Sequence, residues 1–161
     1  MYRIEVKKES LSFSAAHFIT SGGKCERLHG HNYEVSVQME GNLTPDRYVF
    51  DFVVLKKLLS AICLPLDHRF LLPEKNPDID FQKKEKEWEI RYRQRRYIMP
   101  EEDLMVLPLD NITAERLAEY ICGKLISSLK DYKTDNLSSV EVGVAEAPGQ
   151  TGYYRGSLTE K

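Results

Sequence analysis

Two hydrophobic periods along these 161 residues specify an α+β layer, an antiparallel sheet with two helices packed on one face. Apolar residues recur at every second position near both ends of the chain, as half-buried strands require. Between them, two stretches repeat at three and four residues, as amphipathic helices require. The order is therefore strand, strand, helix, helix, strand, strand, with hairpins flanking a helix pair.

Leu11, Phe13, Ala15 and His17 share one parity against Ser12, Ser14 and Ala16, which gives a first strand over Arg3 to His17. Ile19 to Arg27 contains Gly22-Gly23 and reads as a loop. Tyr33, Val35, Val37 and Met39 alternate with Glu34, Ser36, Gln38 and Glu40, forming a second strand closed by Gly41-Asn42. Asp51 opens a helix whose Leu55, Leu58, Leu59 and Ile62 make one stripe, and Pro65 stops it. Leu66-Asp67-His68 lies in the connection that follows. The second helix begins near Asn111, a good N-cap residue, and its face is Leu117, Ile121, Leu125 and Leu129, widened by Ala118, Cys122 and Ile126. After a turn at 131–136, Val140, Val142 and Val144 alternate with Glu141, Gly143 and Ala145. Gly152 to Leu158 is the last strand.

Composition narrows the class. A chain of this length is one domain in size, 1–161, and its 42% hydrophobic and 30% charged residues suffice for a core. With 23 Lys+Arg against 25 Asp+Glu the net charge is -2, which argues against a protein that coats nucleic acid. No apolar run approaches the roughly 20 residues of a membrane span, and mean hydropathy is -0.45. Met1-Tyr2-Arg3-Ile4-Glu5 has no apolar signal core. Cys25, Cys63 and Cys122 are an odd number without paired spacing, which fits a reducing compartment; the expectation is a cytoplasmic protein with no membrane partner.

One stretch breaks the rhythm. Residues 74–103 carry 8 basic and 9 acidic side chains, and the expected insertion spans about 74–108. Trp88, Ile90 and Tyr92 alternate with Glu89, Arg91 and Arg93, so an extra hairpin is expected there, with Arg96 to Met99 returning. A solvated surface insertion, a partner contact and a lid over the site are the readings open to it. Arg91 to Tyr97 interleaves arginine with tyrosine, as an RNA contact would, but the flanking acids cancel its charge.

The histidines carry the chemistry. His29-Gly30-His31 directly precedes the second strand, and residues two apart project to one face. His31 shares the parity of Tyr33, Val35, Val37 and Met39, while His17 shares that of Phe13 and Leu11 on the first strand. A hairpin of those strands brings three imidazoles to one end of the apolar face. Three protein ligands with an open fourth position are the arrangement of a catalytic zinc. An HxH pair alone is a weak signal, since an inward histidine is commonly a hydrogen-bonded core residue. Cys25, four residues before His29, is a candidate base or nucleophile because nearby positive charge favours thiolate; a fourth metal ligand or an inert thiol are its other readings. Cys63 and Cys122 read as packing. Glu146 extends the Val140, Val142, Val144 row, and a carboxylate ending an apolar row needs a partner. Glu115, in the first turn of the second helix, is compatible with ordinary dipole chemistry. Asp67-His68 could form a proton relay in which the carboxylate orients the imidazole.

Phe13-Ser14-Ala15-Ala16-His17, Cys25-Glu26-Arg27-Leu28-His29-Gly30-His31-Asn32-Tyr33, Asp51-Phe52, Leu66-Asp67-His68, Asn111-Ile112-Thr113-Ala114-Glu115, and Glu146 with Tyr154-Arg155-Gly156 occur in this order. Together they resemble the 6-pyruvoyl-tetrahydropterin synthase / 6-carboxy-tetrahydropterin synthase family over nearly the whole chain outside 74–108. The resemblance implies the tunnelling fold, in which a four-stranded antiparallel sheet backed by two helices closes a barrel as a trimer, two trimers commonly stacking into a hexamer. It implies zinc on His17, His29 and His31, with Cys25 as proton acceptor. Asp67, His68 and Glu146 would belong to the charge relay or pterin site. Glu146 would also anchor the pterin 2-amino and N3 donors, and Glu115 with Thr113 would help hold the ring. Active sites in this family form between subunits.

The reaction implied is an acid–base rearrangement of 7,8-dihydroneopterin triphosphate without a redox cofactor. Loss of triphosphate gives a 6-pyruvoyl product; side-chain cleavage releases acetaldehyde and leaves 6-carboxy-tetrahydropterin, the branch toward queuosine and related deazapurines. Three residues separate Cys25 from His29, similar to the bacterial carboxy-forming type, whereas the animal pyruvoyl-forming type has a longer gap. The expected activity is therefore a 6-carboxy-tetrahydropterin synthase. A 6-pyruvoyl-tetrahydropterin synthase and a non-catalytic zinc- or pterin-binding module are the alternatives. The family usually has proline where Ile112 stands, at the first helical position.

Overall fold

The computed structural model describes residues 1–7, 11–22 and 24–158, without the side chains of Lys24 and Cys25. The strand expected over Arg3 to His17 is two strands, β1 (Tyr2–Lys7) and β2 (Phe13–His17). Both pair antiparallel with the long strand β5 (His29–Gly41). Val6 lies opposite Val37, and Phe13 opposite Tyr33. Seven residues of chain thus advance the partner by only four, an excess of three. An odd offset exchanges the two faces of a strand. The inward parity accordingly changes from Ile4 and Val6 to Leu11, Phe13, Ala15 and His17.

Between them run two short strands, β3 (Thr20–Ser21) and β4 (Lys24–Cys25), paired as a ribbon with Thr20 opposite Cys25. Helix α1 (Phe52–Cys63) is capped by Asp51, whose carboxylate accepts from the amides of Val53 and Val54 at 2.6 and 3.1 Å. Helix α2 (Ala114–Leu129) is capped by Thr113, not by the expected Asn111. Asn111 instead accepts from the Thr20 amide at 3.3 Å and donates to the Thr20 carbonyl at 2.7 Å. Leu55, Leu59 and Cys63 of α1 and Leu117, Ile121, Leu125 and Leu129 of α2 enter one core. There they meet Tyr33, Val35, Val37 and Met39 of β5 and the valines of β11 (Leu137–Ala147). That arrangement is the two-residue period of the sheet meeting the 3.6-residue period of the helices.

The sheet is larger than the four-stranded antiparallel one expected. Strands β1, β5, β11 and β12 (Gln150–Ser157) do form an antiparallel set. Beyond β2, however, β6 (Arg69–Pro73) and β10 (Leu104–Leu107) add to the same sheet in parallel. The full order is β10-β6-β2-β5-β11-β12, with β1 also on β5. Phe70, Leu71 and Leu72 are all buried, the continuous apolar run of a strand covered on both faces.

The charged stretch folds as a separate three-stranded antiparallel sheet, β7 (Asp80–Lys84), β8 (Glu87–Tyr92) and β9 (Arg95–Pro100). The expected hairpin is β8–β9, and β7 is added to it. Its inner face joins a second apolar cluster made by Phe18, Phe70, Leu72, Ile79, Ile90, Tyr92 and Leu104. On its outer face Glu89, 5% exposed, is ringed by Lys84, Arg91 and Arg96, which hold its carboxyl down at about 2, Arg96 contributing most. Among the described residues, no helix is long and apolar enough to cross a membrane.

Candidate metal centre and active site

Pairing of β2 with β5 sets His17 opposite His29 and Ala15 opposite His31. Directly opposed residues of antiparallel strands share a face, so the three imidazoles meet at one end of the helix-covered side. The strands approach closely at Gly30, where a Cβ would stand 2.9 Å from the Ala15 carbonyl oxygen. One ligand atom from each of His17, His29 and His31 lies within 4.8 Å of the other two.

Second contacts fix the rings. His17 Nδ1 is 2.8 Å from the Ile112 carbonyl oxygen, and His29 Nδ1 is 2.8 Å from the Arg27 carbonyl oxygen. A carbonyl only accepts, so in both rings Nδ1 carries the proton and Nε2 presents a lone pair. Burial lowers His17 to about 4, against the Ile112 bond that favours its charged form, so the ring is neutral near pH 7. The two Nε2 atoms are 3.2 Å apart. Two lone pairs at that separation repel unless a cation lies between them. Two nitrogens on a tetrahedral zinc, at about 2.05 Å each, stand about 3.3 Å apart. The donor set fits a resident metal ion.

Around this centre the other expected residues fall into three groups. Glu146, near the end of β11, feels the charges of His31, Glu115 and His29, and burial raises its carboxyl. Its Oε1 is buried with no hydrogen-bond partner. Glu146 and His31 line one open cavity of about 360 Å³. Glu115 is exposed in the first turn of α2, brought near β12 by Gly152, whose missing Cβ would stand 2.6 Å from the Glu115 amide. Thr113 spends its hydroxyl on the Arg116 amide as the N-cap.

Asp67 and His68 form a contact pair tied to β2. Asp67 Oδ2 lies 2.9 Å from His68 Nδ1, while its Oδ1 accepts from the Ser14 amide at 2.8 Å. These bonds, the Ser14 amide first, lower the Asp67 carboxyl. The His68 amide donates to the Ser14 carbonyl at 2.7 Å, and His68 adopts a left-handed φ of 55°. A non-glycine residue there is strained and is held by these two bonds to β2. The ring is 82% exposed and lines, with His31, a second open cavity of about 750 Å³. For Cys25 the backbone pairing with Thr20 is described, and its side chain lies outside the described residues.

Several participants escape sequence reasoning. Glu26 Oε2 lies 3.9 Å from His29 Nε2, a carboxylate beside the metal centre. The Tyr33 hydroxyl is 3.3 Å from His17 Nδ1. Ile112 and Arg27 act through carbonyls, for which side-chain identity gives no signal. Glu26 sits in a loop without period; its place between Cys25 and the histidine pair was the available clue.

The family model described as 6-pyruvoyl tetrahydropterin synthase matches residues 5–157. A protein of Methanocaldococcus jannaschii provisionally named 6-carboxy-5,6,7,8-tetrahydropterin synthase is 34% identical over 152 residues, 94% of this chain and 93% of that one. A Halobacterium salinarum protein given the same name, also provisionally, is 33% identical over 142 residues, 88% of this chain and 80% of that one. The crystal structure of 6-pyruvoyl tetrahydropterin synthase from Plasmodium vivax superposes with a TM-score of 0.93 at 33% identity, covering 98% of both chains. Fold and length therefore agree, and this chain belongs to the 6-pyruvoyl tetrahydropterin synthase family.

Proposed function

We propose that this protein is a zinc-dependent 6-carboxy-5,6,7,8-tetrahydropterin synthase, a lyase converting 7,8-dihydroneopterin triphosphate with loss of triphosphate and acetaldehyde, toward queuosine and related deazapurines. The observation that carries the reading is the pair of facing Nε2 lone pairs 3.2 Å apart, beside a third imidazole and the orphaned Glu146 oxygen. His17, His29 and His31 would hold the zinc, which supplies Lewis acidity that makes C–H and O–H protons of the bound side chain easier to remove.

The chain's own groups do the rest. Glu146 Oε1 accepts hydrogen bonds from the pterin 2-amino and N3 donors, satisfying an acceptor that the protein leaves empty. Glu115 and Thr113, at the start of α2, flank the ring. The Cys25 thiolate removes a proton from the substrate side chain. His68 returns one, with Asp67 orienting its ring through Nδ1 so that Nε2 faces outward. The short gap between Cys25 and His29 favours the carboxy-forming branch.

The structural match to a 6-pyruvoyl enzyme favours a second reading, triphosphate elimination that retains the three-carbon side chain. Incubation with 7,8-dihydroneopterin triphosphate separates them. Acetaldehyde in step with pterin product is expected; a three-carbon product without acetaldehyde selects the second. Cys25→Ala should abolish turnover with metal content intact. Tight pterin binding without turnover by the unmodified protein would instead mark a binding module.

A further inference from the structure

The charged insertion reaches the proton-transfer loop. At the end of the β8–β9 hairpin, Arg95 Nη1 donates to the Glu26 carbonyl at 2.7 Å. Two residues on, Tyr97 stacks on Phe18, with ring centroids 5.6 Å apart and planes at 25°. Phe18 directly follows the metal-centre residue His17 and belongs to the apolar cluster under the insertion. At the insertion's other end, Asn76 is 6% exposed; its Nδ2 donates to the Thr20 hydroxyl at 2.8 Å and to the Asp110 carbonyl at 2.6 Å. Asn111 grips the Thr20 backbone at both its amide and its carbonyl. The ribbon is closed by the Glu26 amide donating to the Ile19 carbonyl at 2.9 Å.

The order of these bonds along the chain matters. Cys25 pairs with Thr20, Arg95 holds the carbonyl of Glu26, and the next carbonyl, that of Arg27, is the one that sets the His29 ring. The peptide joining proton acceptor to metal ligand is thus restrained on both sides. An isolated two-strand ribbon of two residues per strand would not hold one position. Its grips come from Asn76 and Arg95 of the insertion and from Asn111.

We infer that the 74–103 insertion is a brace for the catalytic loop and that Arg95 is a positioning residue, acting through the Glu26–Arg27 backbone on Cys25 and His29. For its catalytic half this rests on the proposed pterin chemistry; the brace itself does not. A surface ornament would spend its charges on solvent or within its own sheet, as Arg91 and Arg96 do on Glu89. Arg95 turns to the 19–28 loop instead.

Arg95→Met keeps the apolar stem and removes the donors; Arg95→Lys retains one cationic donor. Amide hydrogen exchange over residues 19–28, bound metal, melting temperature, kcat and KM are measured for both beside the unaltered protein. The expected result for Arg95→Met is faster exchange across 19–28 with an unchanged melting temperature. A fall in kcat of about tenfold with KM held within about twofold should accompany it, the size expected for one lost charge-assisted hydrogen bond, and Arg95→Lys should restore most of both. Unchanged exchange overturns the brace. Faster exchange with undiminished kcat, or a rise in KM alone, overturns the positioning role, the latter making Arg95 a substrate contact. If the unaltered protein turns over no pterin, the proposed function fails while exchange still judges the brace.

Discussion

At Glu146 the proposed function and stability oppose each other in a single side chain. Its Oε1 is buried without a partner, a cost the fold bears in the absence of a ligand. Glu146→Gln keeps the shape and removes the charge. If Glu146 anchors the pterin donors, the variant loses charge-assisted hydrogen bonds of about 1.5–3 kcal/mol, weakening substrate binding by about ten- to a hundredfold. The folded protein should meanwhile become slightly more stable. Titration with 7,8-dihydroneopterin triphosphate and a thermal melt check both, and unchanged affinity removes Glu146 from the substrate site. The pH slope has a definite sign in the metal-free protein. Burial raises the folded carboxyl above its ordinary 4.5, so the folded form binds more protons than the unfolded one between 4.5 and the raised value. Stability conferred by the protonated form is lost as pH rises through that window, and Glu146→Gln abolishes that contribution. A different consequence of burial falls on the helical thiols. Cys63 is pushed up to about 12 and Cys122 also upward, so both should resist iodoacetamide at pH 8 in the folded protein, as peptide mass mapping would show.

Strand β5 joins the core to the site: its later residues pack against the helices and its first three carry two of the histidines. Its approach to β2 depends on the bare Cα of Gly30. Gly30→Ala places a methyl group 2.9 Å from a backbone oxygen that cannot move without opening the ladder. The cost should be about 1–3 kcal/mol, and metal content measured on the purified variant should fall as His31 leaves His17. The insertion sheet has its own titration. Glu89, held down to about 2 by Arg96, Arg91 and Lys84, stabilises β8 against β7 and β9 fully above its unfolded value of 4.5 and loses that contribution as pH falls toward 2. Much of this was legible in sequence: parity alone places His17, His29 and His31 on one face, and the helix stripes find the same core. Parity fails where no side chain carries the message. It missed the odd register offset between β1 and β2 along β5, which inverts the inward face. It missed β6, because an apolar run as short as Phe70-Leu71-Leu72 has no period to classify. It also missed the Ile112 and Arg27 carbonyls, which decide the nitrogen each ring offers. Asn111 has the sequence signature of an N-cap because the same side-chain geometry that caps a helix also grips a neighbouring strand, here at Thr20.

At the scale of the molecule, the antiparallel set begins at β1 and ends at β12, and among the described residues neither has a further strand beside it. Open edges present rows of unpaired amides and carbonyls, which proteins pair, cover or charge. Here Tyr2 on β1 and Tyr153 and Tyr154 on β12 are exposed, 56%, 59% and 39%, so these edges carry aromatic side chains that favour association over isolation. Joining the β12 edge of one copy to the β1 edge of the next is a head-to-tail contact, and such contacts make rings when the rotation closes. A closed ring of three copies, or two such rings stacked, should have a mass of about 56 or 112 kDa, three or six times 18.7 kDa. Light scattering at micromolar concentration measures this directly. Tyr2→Asp with Tyr153→Asp would set like charges on adjoining edges and should shift the mass toward one copy, whereas Tyr2→Asp with Tyr153→Lys should retain the assembly. A single-copy mass for the unaltered protein, or equal masses for the two double variants, removes the edges as the joining surface.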